Sequence, residues 1–333
     1  MTERNTVYRC ESIRDETPDV RTFVLSPISG TRLDFRPGQF VNMEVPAADP
    51  AIWRSFTIAS SPAALGAALE ITIKRQAPAG ATNWLFENLI PGKAVQIEGP
   101  FGRFHAGSEP HPLLLVSAGS GATPMMSILR WLEDAGDSRP VCYVHCARTE
   151  ADLLFRAEVE RLAARRPGMA VEWIVTSREG RPDQARWARL ADRLAHYEVF
   201  CCGPAGFMAT LREAHQAAGG SEARWHEESF EAAAIEAAAT ADDAGEGHVI
   251  RFEPAGAEIA CLPGETILEA GLRAGLPLKS SCRKGMCSTC RLSKLSGEVD
   301  MQQDGGLFDD EVEAGDILAC CSRPLGPVTL KFP

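Results

Sequence analysis

Three cysteines crowd one short stretch, SSCRKGMCSTCRLS at 280–293, and a fourth, Cys320, follows in ILACCSRP. Cys282, Cys287 and Cys290 stand at C-x4-C-x2-C spacing, with polar residues and Gly285 between them rather than core-forming side chains. Packing does not explain such placement; ligation does. A loop carrying three thiolates must turn tightly around a metal centre with its amides aimed at sulfur, and glycine permits that turn. Four thiolates suit an iron–sulfur cluster or a zinc ion, although zinc more often takes paired C-x2-C knuckles. A disulfide set fits neither the odd count of 11 cysteines nor a reducing compartment. Other cysteines, in VCYVHCA and VFCCGP, read as buried strand thiols. Cys321 is the rival to Cys320, and alternation along a strand should turn it the other way.

Two further constellations carry chemistry. After the apolar run LLLVSA comes Gly119-Ser120-Gly121-Ala122-Thr123-Pro124, then MMSILRWL with Met125, Ile128, Leu129 and Leu132 on one face. Glycines admit a pyrophosphate to the backbone, Thr123 is placed to cap, and Pro124 fits a first helical position, so the helix N-terminus faces an anion. The turn is not the GxGxxG fingerprint, because Thr-Pro replaces its third glycine. A second turn, Cys202-Gly203-Pro204, closes the last core strand and sets a thiol beside the first. Earlier in the chain, Arg54-Ser55-Phe56-Thr57 lies on a strand: an arginine for a phosphate, a ring for a flat heterocycle, a hydroxyl for its edge.

Positioning these groups takes several domains, and 333 residues suffice for them. Residues 1–106 show short alternating runs broken by Gly and Pro, the pattern of an antiparallel β-barrel. One helix, TNWLFENLIPG, interrupts them, with Thr82 or Asn83 as cap and Leu85, Phe86, Leu89 and Ile90 as its face. Across 107–230, apolar strands alternate with amphipathic helices, which predicts a doubly wound α/β parallel sheet with its ligand at the strands' carboxyl ends. Residues 231–247 are Ala-rich and acidic, a linker. Residues 248–333 form an α+β unit small enough to benefit from a metal centre. A net charge of -11 argues against general nucleic-acid binding. The start MTERNTVYRC is charged with no apolar region behind it, and no long apolar run follows, so no membrane span and a cytoplasmic location are expected.

In order, PGQF at 37–40, RSFT, GATNW at 80–84, GPFGRF at 99–104, GSGATP and CGPAGFM resemble the motifs of the ferredoxin-NADP reductase superfamily over residues 1–230. The resemblance implies a flavin barrel followed by a nicotinamide-nucleotide domain. It places Arg54, Ser55, Phe56 and Thr57, with Ile73 and Lys74 of ITIKR, at the flavin, and Gly80, Ala81 and Thr82 on its pyrophosphate. Gly119, Gly121, Thr123, Pro124, Cys202, Gly203 and Pro204 then serve the nicotinamide nucleotide. Thr57, Cys202 and Glu228 are the residues it sets nearest the reacting rings. Most members have tyrosine where Phe56 stands, so stacking survives and a hydroxyl contact is lost. GPFGRF with the Gly80 helix looks like the FAD branch rather than the FMN branch. The cysteine spacing resembles plant-type [2Fe-2S] ferredoxins, with Cys282, Cys287, Cys290 and Cys320 as ligands and a β-grasp fold.

Flavin, nucleotide and cluster in this order describe a machine that takes a hydride onto FAD and releases single electrons through iron and sulfur. The architecture resembles reductase components of Rieske-type oxygenases, including those acting on quaternary amines such as carnitine or glycine betaine, and the reductase of the hybrid-cluster protein. The expected partner is an oxygenase component; a non-catalytic redox sensor is the rival reading. For the coenzyme, Arg148, Ser177 and Arg178 resemble a 2'-phosphate pocket for NADPH, whereas oxygenase reductases mostly use NADH, the expectation adopted. Arg283, Lys284, Arg291 and Lys294 near the cluster could steer a partner, as could the acidic run from Asp304 to Asp316.

Overall fold

The computed structural model describes residues 5–46, 52–76, 80–230, 247–254 and 256–331. They fall into two compact units, taken in turn.

The first unit begins with β1 (Asn5–Thr17), β2 (Val20–Pro27), β3 (Phe40–Val45), β4 (Ile52–Thr57), β5 (Leu69–Lys74), α1 (Ala81–Asn88) and β6 (Ala94–Phe101). The strands form a six-stranded sheet in the order β4-β3-β6-β1-β2-β5. Alternate residues of β2 point inward, as a half-buried antiparallel strand requires. Phe23, Leu25, Val41, Met43, Ile71 and Ile73 are almost wholly buried in the interior, each worth about 1.5–3 kcal/mol of apolar transfer. Just past β4, Ile58 bridges Ile71, and the Ala59 amide donates to the Glu70 carbonyl at 2.7 Å. These bonds join the sheet's two edge strands and close the barrel. In α1 the expected caps are otherwise engaged: Gly80 occupies the N-cap, Thr82 Oγ1 accepts from the Gln76 amide at 3.1 Å, and Asn83 Oδ1 accepts from Arg75 at 2.9 Å. Leu85, Phe86 and Leu89 are buried as expected, but Ile90 is exposed because the helix ends before it.

The same unit continues with β7 (Leu113–Ala118), α2 (Ala122–Asp134), β8 (Val141–Ala147), α3 (Arg156–Arg165), β9 (Met169–Val175), α4 (Thr176–Glu179), α5 (Gln184–Ala188), α6 (Ala191–His196), β10 (Glu198–Cys202), α7 (Ala205–Ala217) and β11 (Trp225–Glu228). The five strands are parallel, in the order β11-β10-β7-β8-β9. Every residue of β8 is buried, which is why VCYVHCA reads as an unbroken apolar run. Met125, Ile128 and Leu129 of α2 cover one face of this sheet with α3, while Trp187, Leu194, Met208 and Leu211 cover the other. The chain leaves β7 toward β8 and β9, then returns to place β10 on the opposite side of β7. The carboxyl ends of β7 and β10 therefore flank the crevice where such folds take their ligands.

The second unit contains β12 (His248–Glu253), β13 (Ala257–Cys261), α8 (Ile267–Arg273), β14 (Arg291–Ser296), β15 (Val299–Met301), α9 (Asp309–Glu313), β16 (Asp316–Leu318), β17 (Ser322–Pro324) and β18 (Val328–Lys331). Its main sheet runs β13-β12-β18-β14-β16, mixed in direction, with α8 packed against it, and β15 pairs with β17. Thr266 and Glu269 form a capping box that starts α8, satisfying two amides that the helix cannot. Apart from Gly247, the expected linker lies outside the described residues. Among the described residues no helix is long and apolar enough to cross a membrane.

Candidate functional site

The cluster loop runs from the end of α8 to Cys290, the residue before β14. Arg283, Gly285 and Ser288 all adopt left-handed backbone there, with φ of 55°, 69° and 55°. Alternation of this kind turns successive amides toward one side and makes a concavity for anionic groups. Cys282 N donates to Cys287 Sγ and Lys284 N to Cys282 Sγ, each at 3.4 Å. Thr289 Oγ1 lies 3.2 Å from Cys287 Sγ. Contact with the Cys282 thiol, followed by that hydroxyl and the amides, pulls the Cys287 thiol below its usual range despite its burial. Register supplies the fourth thiol. Arg291 pairs with Leu318 between β14 and β16, the Ala319 amide donates to the Cys290 carbonyl at 3.0 Å, and Cys320 N donates to Cys290 Sγ at 3.4 Å.

Cys282 meets Cys287 and Cys290 meets Cys320, each pair also joined by an amide of one on the sulfur of the other, while Cys321 lies against Cys320 from outside the two pairs. Two-plus-two grouping is what a cluster of two irons asks of its ligands, whereas one tetrahedral zinc needs four sulfurs around a single point. A side chain at Gly285 would meet Cys321 Sγ and the Gln303 Cα, both at 2.9 Å, so the loop closes only with glycine. Cys321 departs from expectation. Residues 319–321 form a single 3-10 turn rather than a strand, so Cys321 stays beside Cys320, its thiol donating to the Leu318 carbonyl at 3.6 Å. Of the basic residues nearby, Arg291 is held by Glu311 and Asp316, each at 2.6 Å, while Arg283 and Lys284 are half-buried within the loop.

At the crevice of the parallel sheet, Gly119–Gly121 make a 3-10 turn that leads directly into α2. Thr123 does not cap this helix; its hydroxyl donates to the Ser120 carbonyl at 2.9 Å, tightening the turn from inside. The Ala122 amide is taken by the Gly119 and Ser120 carbonyls, and neither α2 nor the turn before it receives a side-chain cap, so the positive end that an anion would meet is the 119–121 turn. Pro124 is buried in the first turn, and Gly203 packs against Phe207 and Ala118. Cys202 ends β10 fully buried, its thiol driven well above 9 by burial, then by Glu228 and Cys201, and therefore neutral. In the β10–β11 register Cys202 faces Glu228, and Thr57 Oγ1 donates to Glu228 Oε2 at 3.4 Å. Thr57, Cys202 and Glu228, far apart in sequence, meet in one place.

On β4, Thr57 is buried, Phe56 and Ser55 are half-buried, and Arg54 is exposed with its guanidinium donating to the Trp53 carbonyl at 2.8 Å. On β5, Ile73 faces the barrel interior and Lys74 pairs with Asp19 at 3.2 Å. Gly80 opens α1 with nothing within 4 Å of where a side chain would start, and Ala81 behind it is buried. Open backbone at a helix start fits a diphosphate. The residues expected to select the coenzyme, Arg148, Ser177 and Arg178, lie past β8 and β9, where Ser177 N donates to the Arg148 carbonyl at 3.0 Å. Both arginines there are matched with acids: Arg178 with Glu150 at 3.0 Å and Arg148 with Asp152 at 3.9 Å. Sequence reasoning missed these acids, although Thr-x-x-Asp at 149–152 is a capping-box signal and the box is formed.

A barrel with an open helix start, a parallel sheet with an uncapped helix at its switch point, and a paired-thiol loop define a modular flavin, nucleotide and iron–sulfur oxidoreductase. Three family models match in that order: an oxidoreductase FAD-binding domain over residues 8–106, an oxidoreductase NAD-binding domain over 115–213, and a 2Fe-2S iron-sulfur cluster binding domain over 250–325. The chain is 37% identical to the stachydrine N-demethylase reductase subunit of Rhizobium meliloti, covering 97% of this chain and 95% of the other. It is 34% identical to the glycine betaine monooxygenase reductase subunit of Pseudomonas aeruginosa, covering 98% and 95%. In fold it is similar to phthalate dioxygenase reductase, with a TM-score of 0.65, 23% identity and 98% of each chain covered. The chain belongs to the family of NAD(P)H-dependent flavin and iron–sulfur oxidoreductases that includes these oxygenase reductase subunits.

Proposed function

We propose that the protein draws electrons from NADH and delivers them to the oxygenase component of a Rieske-type system acting on a quaternary amine. FAD bound on the barrel supplies the conversion from a two-electron donor to a one-electron carrier. The observation that carries this reading is the meeting of Thr57, Cys202 and Glu228, which joins the barrel's RSFT strand to the crevice of the parallel sheet. Thr57 and Glu228 hold a polar contact at the flavin edge. The neutral Cys202 thiol and the two glycine turns shape a slot for a nicotinamide, with the Glu228 carboxylate beside it and the α2 N-terminus facing the phosphates. Arg54 pairs with flavin phosphate, Phe56 stacks, and Ile73, Lys74, Gly80, Ala81 and Thr82 complete the flavin's bed. Cys282 and Cys287 hold one iron, Cys290 and Cys320 the other.

NADH fits better than NADPH because Arg178 and Arg148 already have carboxylate partners, and a 2'-phosphate would face Glu150. Domain limits of 1–106, 107–230 and 248–333, with 231–247 as linker, follow from the same reading, as does a cytoplasmic setting in which the cluster's thiols stay reduced. The test is NADH-dependent reduction of cytochrome c by the purified protein. Cys287→Ser should abolish it while sparing ferricyanide reduction at the flavin; loss of both activities together, with flavin still bound, would overturn the assignment of separate sites.

A further inference from the structure

Ser127 and Arg130 are polar residues on the inward side of α2, and neither belongs to a motif. Ser127 is completely buried. Its hydroxyl accepts from the Gly38 amide at 3.2 Å and donates to the Ser60 carbonyl at 2.9 Å, so both capacities are spent on barrel backbone. Arg130 stands one turn further along the same face. Its Nη1 donates to the Ala59 carbonyl and to Glu70 Oε2, both at 2.9 Å. Nε and Nη2 grip the two oxygens of Glu158 on α3 at 2.9 and 2.8 Å.

The attachment points are specific. Ala59 and Ser60 directly continue the strand that ends in Thr57, and Gly38 sits in PGQF, whose Gln39 carbonyl accepts from the Ile58 amide at 3.0 Å. The helix they hold begins at Ala122, directly after the 119–121 turn. Ser127 and Arg130 lie only about 8 and 12 Å along the axis from that start. A helix transmits displacement along its axis, so the turn moves with the residues that anchor it.

We propose that Ser127 and Arg130 form a clamp that fixes the nucleotide turn against the RSFT strand and so sets the approach of the nicotinamide to the flavin during hydride transfer. The inference rests on the functional reading above. They are positioning residues: neither touches the reacting atoms, and both act through α2. A buried serine with two backbone partners resists sliding, and an arginine whose plane is fixed by Glu158 while it bonds the Ala59 carbonyl and Glu70 of the barrel resists tilt.

The test is stopped-flow reduction of the bound flavin by NADH in the intact protein, for Ser127→Ala, Ser127→Thr, Arg130→Met and Arg130→Lys. Misplacement of the ring should lower the limiting rate about tenfold or more in the Ala and Met variants, with flavin content unchanged, KM for NADH little altered, and the downstream flavin-to-cluster step as in wild type. Ser127→Thr, which keeps the hydroxyl, should recover the rate. A lowered melting temperature with a wild-type limiting rate in Ser127→Ala would overturn the clamp. Should Arg130→Met fail to fold, Ser127→Ala decides alone. Failure of NADH and NADPH to reduce the wild-type flavin would strike the functional reading instead, so the two failures are distinct.

Discussion

A Cβ added to Gly121 would sit 2.1 Å from the carbonyl oxygen of Cys202 and 3.1 Å from its sulfur. The two turns of the nucleotide site are therefore in backbone contact. No rotamer change relieves a clash with a carbonyl, so Gly121→Ala must push α2 or the β10 terminus aside, at a cost of about 1–3 kcal/mol. The expected result is a folded protein that keeps its flavin and loses most NADH-dependent flavin reduction. Flavin absorbance and stopped-flow reduction measure the two separately. Wild-type reduction by Gly121→Ala would show that the turns need not touch.

The two thiols at 320–321 make a sharper case. Cys320 contacts Cys290 and its amide donates to that sulfur, whereas Cys321 reaches Cys320 only, donates to the Leu318 carbonyl and fills the space where a side chain at Gly285 would start. Cys320→Ala should lose the cluster's visible and EPR signals along with iron and sulfide. Cys321→Ala should retain them, because it vacates space without removing a ligand. A cluster that survives Cys320→Ala and disappears in Cys321→Ala would reverse the ligand assignment.

Much of this arrangement was legible in the chain itself. The three sheets, the burial of Met125, Ile128, Leu129 and Leu132, and the left-handed Gly285 follow from periodicity, residue type and spacing. What escaped were choices between equivalent local bonds. Thr82, Asn83 and Thr123 are good caps in isolation, but Thr82 and Asn83 accept from Gln76 and Arg75 just upstream, and Thr123 donates to the Ser120 carbonyl. Cys321 lies beside Cys320 because one 3-10 turn, not a strand, follows β16. The partners of Ser127 are distant in sequence; its polarity on an apolar helix face is the signal that a sequence offers.

The proposed preference for NADH assigns coenzyme choice to Glu150. Its pair with Arg178 is exposed, so it contributes little to stability and its removal should be nearly silent in the melting temperature. Glu150→Ser removes the repulsion of a 2'-phosphate and one of the two carboxylates on Arg178, leaving only Glu179 at 3.2 Å to compete for it. The ratio of kcat/KM for NADPH over NADH should rise about tenfold or more, equal to ~1.4 kcal/mol of differential binding. An unchanged ratio would place the selecting residues elsewhere.

Acid should loosen the parallel sheet through His145. The ring is fully buried on β8, with Nδ1 2.9 Å from Ser117 Oγ, and burial lowers its pKa from 6.5 to about 4. The sign follows from proton uptake. Between pH 6.5 and about 4 the unfolded chain binds a proton that the folded one refuses, so stability falls as pH falls through that window and levels off below it. His215, buried beside Trp225 and likewise lowered by burial, adds in the same direction. Melting temperatures across this window, wild type against His145→Gln, isolate the effect from acid loss of the cluster, which both proteins share. The variant should show the shallower decline; equal slopes would mean that the folded protein already admits the proton at His145.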